Sequence, residues 1–206
     1  GRDGKVVALE PHPEIFAELK ENVSRWSRVP GLGQMDIFEV AASTRAGRAR
    51  LYTPDLFESN RGLASLEGAP NQASSSCEVA LTTLDEVVPV GATLGVMKLD
   101  VEGHELGVLE GGRRLIDSKA VRDIVFEEHS TPPTPVTQWL ERCGYEVFYL
   151  DAGLLGPKMI SIASSHVRNR SDAPSCLATI APKRARERLR TRAWQVLGKH
   201  KTSFSA

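Results

Sequence analysis

The stretch MKLDVEGHEL, Met97 to Leu106, sets Asp100, Glu102, His104 and Glu105 within six residues. Three kinds of chemistry fit those types at that spacing. A carboxylate or imidazole there can take a proton from a hydroxyl nucleophile. The pattern D-x-E-x-H also offers oxygen and nitrogen donors to a metal ion. Acids at the start of a helix are, more plainly, favoured by the helix dipole. Gly103 lets the backbone turn sharply between them. Residue types alone leave all three open.

A second acid stands out by position. Glu10 closes the apolar run Lys5 to Leu9, KVVAL. A carboxylate only accepts hydrogen bonds, so it can grip both hydroxyls of a ribose. Nicotinamide enzymes use such an acid about 20 residues after a glycine-rich turn, and S-adenosylmethionine also carries a ribose. The plain alternative is a solvent-facing glutamate at a strand end. The only later G-x-G, Gly31-Leu32-Gly33, follows a helix and reads as a loop.

The elements that must position these groups follow from periodicity. KVVAL suits a strand buried on both faces. Pro13 opens an amphipathic helix with Ile15, Phe16, Leu19, Val23 and Trp26 on one face. MDIFEVAAS reads as a second strand and ARLYT as a third, with a turn at Ala46-Gly47. Residues 54 to 76 are rich in Gly, Pro and Ser and read as a long loop, of a length that is usually functional or mobile. VALTTLDEVV follows, and TLGVMKLD is a strand ending at Asp100. HELGVLEGGRRLI is a helix weakened at Gly111-Gly112. VRDIVFEEH is a strand ending in Glu127, Glu128 and His129. VTQWLERCG is a helix closed by Gly144. YEVFYL and KMISIAS form a strand pair through Gly153 and Gly156. Alternation of this kind predicts an α/β fold, with a mostly parallel sheet, helices on both faces and an antiparallel C-terminal edge. Ligands bind beyond the carboxyl ends of such strands, so Glu10, Ala42, Asp100 and Glu127 are expected along one edge.

Composition narrows the classes. The chain has 206 residues, 41% hydrophobic, with 26 basic against 26 acidic side chains. That balance gives no argument for nucleic acid or a membrane surface. Cys77, Cys143 and Cys176 are scattered, which fits neither a disulfide framework nor a zinc site, and points to a reducing cytoplasm. No apolar run is long enough to span a bilayer, and GRDGKVVALEP lacks a signal-peptide layout. Residues 1–165 are expected to form one α/β domain and 166–206 a polar linker and basic tail. From Pro182 on, eight Lys or Arg accompany one acid, Glu187. Leu189, Ala193, Val196 and Leu197 would share a helical face there. Such a helix can meet an acidic surface, or simply stay solvated.

The segments VVALEPHPEIFAELKENV, VAAS, TTLDEVV, VMKLDVEGHELGVLEGGRRLI, IVFEEH and LERCGYEVFYL together resemble FkbM-type methyltransferases, over roughly residues 4 to 165. The resemblance implies a Rossmann-like, S-adenosylmethionine-dependent enzyme that O-methylates hydroxyls on sugars, polyketides or other small natural products. It implies Glu10 as the ribose acid, Pro11 beside it, Ala41 and Ala42 along the adenine, and Asp100 and Glu102 on the cofactor and acceptor side. Asn60 and Ser65 fall in a segment like the family's acceptor loop, and Glu127 and His129 are further acceptor candidates. Among Asp100, Glu102 and His104, Asp100 is the first choice for base because it ends the strand; no resident metal is expected. The family's first βα unit, with its glycine-rich loop, has no counterpart here. Two alternatives are a non-catalytic binding module and a nicotinamide-dependent oxidoreductase. The D-V-E-G-H run gives the latter no support.

Overall fold

The computed structural model describes residues 3–54, 64–66, 75–128, 130–153, 156–163 and 175–192. The chain divides into two compact units, Gly1–Ala92 with Val101–Ser118, and Thr93–Asp100 with Lys119–Ala206.

The first unit opens with β1 (Lys5–Leu9), α1 (Pro13–Trp26) and β2 (Gln34–Phe38), and β1 pairs with β2 in parallel. The expectation that KVVAL is buried on both faces is corrected. Val6 is 50% and Val7 37% exposed. Among the described residues β1 has a neighbour along one edge only, so its apolar side chains lack the cover that a central parallel strand receives. Helix α1 has Pro13 in its first turn and the expected apolar stripe, but Trp26 at its end is exposed.

MDIFEVAAS is not one strand. It divides into β2 and the short β3 (Ala41–Ala42), which belongs to another sheet. There β5 (Ser75–Thr82) is central, with β3 parallel on one side and β4 (Gly47–Thr53) antiparallel on the other. The turn at Gly47 therefore leads across β5 and not into a hairpin. Leu51 and Val79 bury beside Ala41, with Ala64, Leu66, Cys77 and Leu81 packed around them.

The T-L-D segment has a structural task. Thr83 caps the short α2 (Leu84–Val87) through a reciprocal box with Glu86. The helix expected over HELGVLEGGRRLI breaks at Gly112 into α3 (Glu105–Gly111) and α4 (Arg113–Asp117). The Asp85 carboxylate accepts from the backbone N–H groups of Arg114 (2.8 Å) and Leu115 (3.2 Å). The Arg114 guanidinium in return donates to the carbonyls of Asp85 and Val88. Asp85 thus satisfies donors that a helix start leaves open.

In the second unit the strand order is β6 (Leu94–Lys98), β7 (Val121–Glu127), β10 (Ser175–Thr179), β8 (Glu146–Gly153) and β9 (Gly156–Ser161). Only β6 and β7 are parallel in it; β10 runs antiparallel to both neighbours, as β8 does to β9. The antiparallel C-terminal edge is present. The mostly parallel sheet is not: the described strands make three parallel and four antiparallel pairings, in three sheets. Strand β10 lies inside the stretch expected to be linker. Cys176, Leu177 and Ala178 are nonetheless buried, because β10 fills the gap between β7 and β8.

Helix α5 (Pro135–Arg142) begins with a capping box from Thr134, and Gly144 follows it at φ +77°, the left-handed position foreseen for it. Helix α6 (Pro182–Arg192) begins the basic tail and is tied to this sheet. Arg184 donates to the Asp123 carboxylate at 3.0 Å, and Arg186 lies 5.0 Å over the Phe148 ring. Ala193, Val196 and Leu197 lie outside the described residues. No helix among the described residues is long and apolar enough to cross a membrane.

Candidate active site

In the first unit the turn at Glu102-Gly103, inside D-V-E-G-H, is tight. Glu102 has φ +48° and Gly103 φ +96°. A left-handed glutamate costs of order 1 kcal/mol or more, so surrounding contacts must hold it. One such contact is the Ser65 hydroxyl, which donates to the Glu102 carbonyl at 2.8 Å. Ser65 is itself fixed by two backbone hydrogen bonds to Tyr52 of β4, each 3.0 Å. The acceptor-loop candidate Ser65 and the catalytic candidate Glu102 are therefore neighbours.

His104 follows, at the start of α3. Its Nε2 lies 2.9 Å from the hydroxyl of Ser43, just past the end of β3. Ser43 is buried, at 6% exposure, while His104 is half-buried. Two glycines make this approach possible. A Cβ on Gly107 would sit 2.6 Å from the imidazole Cε1, and one on Gly111 would sit 1.9 Å from the Ser43 carbonyl oxygen. The helix face bearing both must be bare for the ring and the strand end to fit. Gly111→Ala is expected to destabilise the protein by about 2–3 kcal/mol, since a backbone carbonyl cannot swing aside and helix propensity returns only about 1 kcal/mol. A urea-unfolding midpoint equal to wild type would show that α3 does not press on β3 as described.

Glu10, just past β1, is half-buried. Its Oε1 accepts from the His12 backbone N–H at 2.7 Å, and its own N–H donates to the Phe38 carbonyl at 3.1 Å. Burial pushes its carboxyl above the ordinary range, and the His12 N–H works against that shift. Pro11 follows, half-buried. Ala41 is buried and Ala42 half-buried, presenting small apolar surface at a strand end. A half-buried acid and two small apolar residues suit the ribose and base of an adenosine group. Glu105, the bland first-turn acid by sequence, is buried, with the Gly103 N–H 3.3 Å from its Oε1.

In the second unit, Asp100 lies two residues past β6 and pairs with Lys98 at 2.5 Å, its side chain 48% exposed. Glu127 ends β7 opposite Ser175 of β10. Its neighbour Glu128 is buried and accepts from the Thr134 hydroxyl (2.5 Å) and the Ser130 N–H (3.0 Å), which ties the loop to α5. Asn60 and His129 lie outside the described residues. Among the described residues, no group of three or more His, Cys, Asp or Glu could hold a metal ion.

Sequence reasoning missed Ser43 and the two helical glycines as a set. The only signal was the G-x-x-x-G spacing, which puts Gly107 and Gly111 on one helix face.

The described residues thus bring a half-buried acid at Glu10, a small apolar strand end at Ala41-Ala42 and an imidazole held on Ser43. The chain belongs to the FkbM methyltransferase domain family, whose model matches residues 1–147. It is 30% identical over 138 residues to the hexuronic acid methyltransferase AglP of Haloferax volcanii, a match covering 66% of this chain and 52% of that protein. The chain thus spans about half the length of the curated relative it matches. In fold it is similar to the FkbM methyltransferase of Methylobacillus flagellatus KT, with a TM-score of 0.52 and 16% identity, over 85% of this chain and 36% of that one.

Proposed function

We propose that the chain is the catalytic part of an S-adenosylmethionine-dependent O-methyltransferase acting on a hydroxyl of a sugar or sugar acid. The observation that carries this reading is the His104 imidazole held on the Ser43 hydroxyl. The relative's action on a hexuronic acid supports a small carbohydrate acceptor, and family membership supports the cofactor. When bound, the cofactor supplies an electrophilic methyl group. This chain's residues then have three tasks. Glu10 takes the ribose hydroxyls, with Pro11, Ala41 and Ala42 shaping the adenosine side. Ser65 and Glu102 shape the acceptor turn. His104 accepts the hydroxyl proton, since imidazole is the side chain best matched to proton transfer near neutral pH. Asp100, first choice by sequence, pairs at the surface with Lys98 and is assigned to the cofactor side. Glu127, Asn60 and His129 remain acceptor-side assignments, and a cytoplasmic enzyme is the accompanying reading. The basic helix α6 is assigned contact with an acidic surface.

We also infer that the fold is Rossmann-like, which family membership supports.

Calorimetric titration with S-adenosylmethionine tests the proposal. Glu10→Gln is expected to weaken binding by about tenfold to a hundredfold, the loss of charge-assisted hydrogen bonds worth about 1.5–3 kcal/mol. Unchanged affinity would remove the ribose assignment. Binding only by a longer version of the chain would mark this one as a fragment. Binding by neither would favour a non-catalytic module.

A further inference from the structure

The even balance of charge over the whole chain conceals a segregation. From Pro182 on, eight of the 26 basic side chains accompany one of the 26 acids, so residues 1–181 hold 18 basic against 25 acidic. Helix α6 carries most of that basic excess, and it is fixed to the sheet of the second unit. Ala185 is buried and Leu189 half-buried, four residues apart and so on one face. The helix packs beside β9, and Arg184 donates to the Asp123 carboxylate. Lys183, Arg186, Arg188 and Arg190 are exposed, with Glu187 among them.

These observations narrow the partner. The major groove of a duplex takes a helix in along its length, whereas α6 has its inner side covered by its own sheet and is met side-on. The centre of a protein interface is depleted in charge and relies on aromatic or apolar side chains. The exposed side chains of α6 from Lys183 to Arg190 include none of these. A layer of lipid phosphates asks only for positive charge spread along a surface. Beyond α6 the sequence sets Trp194, Val196 and Leu197 before Lys199 and Lys201, a mix that suits a headgroup boundary. Those positions lie outside the described residues.

We propose that the exposed basic face of α6 docks the chain on an anionic lipid bilayer, with Lys183, Arg186 and Arg190 against the headgroup phosphates. The inference rests on the acidic-surface reading of α6 and is independent of the methyl-transfer reading. The excess acid of residues 1–181 is repelled by such a surface, so the chain meets it by this end. The attachment is peripheral and reversible. The inward face of α6 is occupied by its own sheet, so the described helix contributes charge and no apolar insertion.

Sedimentation of the full chain with vesicles of about one-third phosphatidylglycerol in phosphatidylcholine tests the proposal. Binding is expected at low salt, falling steeply as ionic strength rises, and absent with phosphatidylcholine alone. Lys183→Gln combined with Arg190→Gln should weaken it about 25-fold, roughly fivefold for each charge lost. The thermal unfolding midpoint should not move, since both side chains are exposed. Equal binding to the two vesicle types would overturn the proposal whether or not the double variant folds, and so would wild-type binding by a folded double variant. Binding to heparin or duplex DNA without binding to vesicles would overturn the lipid assignment and leave the acidic-surface reading standing. Binding to none of the three would remove both.

Discussion

His104→Gln is expected to lower methyl transfer by about a hundredfold to ten-thousandfold, the usual worth of a positioned general base. Glutamine can still place an N–H near the Ser43 hydroxyl, so the packing over Gly107 and the fold should survive. What it lacks is a nitrogen that takes a proton near neutral pH. The loss should therefore fall on kcat, with cofactor affinity by calorimetry unchanged. Initial rates with labelled S-adenosylmethionine and a panel of hexoses and hexuronic acids would measure it. A drop in cofactor affinity alone would reassign His104 to binding. A hexuronic acid also carries a carboxylate, which is already ionised and needs no base. Full turnover by His104→Gln on that substrate would move the reacting atom from hydroxyl to carboxylate.

The second large effect concerns Asp123, whose replacement by alanine is expected to cost the second unit about 3 kcal/mol. Its carboxylate is 8% exposed. It accepts from the Thr179 hydroxyl (2.7 Å), Arg122 Nε (2.9 Å) and Arg184 (3.0 Å), which links β7, β10 and α6. Removing it takes the acceptor from a fully buried threonine hydroxyl and leaves two guanidinium groups beside the gap. Both arginine side chains are more than a third exposed or close to it, at 34% and 39%, so water relieves part of their loss. That places the cost at the lower end of the range for broken buried pairs. Urea unfolding followed by circular dichroism would measure it, and Asp123→Asn, which keeps an acceptor for Thr179, should cost less. A midpoint unchanged in Asp123→Ala would mean that α6 and the sheet hold together by apolar packing alone.

Legibility followed the range of the interactions. KVVAL was readable as a strand, because a short continuous apolar run with β-branched residues is a local signal. Its exposure was not, because burial depends on what lies beside it. The turn at Gly103 and the stop at Gly144 were readable, since a left-handed backbone position favours glycine. That Glu102 shares the left-handed turn was not, because the contact from Ser65 spans 37 residues. The strand SCLAT escaped notice as five residues with three apolar members, yet it bonds on both sides once β7 and β8 are in place. T-L-D was legible as a family segment, but its task, capping α4 across 29 residues through Asp85, belongs to packing.

By itself, then, the sequence determined most of the helices and strands, the sharp turn in D-V-E-G-H and the family. Those rest on backbone preferences and hydrogen bonds within a few residues. Only the tertiary structure decided that the strands fall into three sheets and that His104 sits on Ser43. The last depends on two bare positions, Gly107 and Gly111, meeting a strand end from elsewhere in the chain. A partner chosen by close packing cannot be read from spacing along one segment.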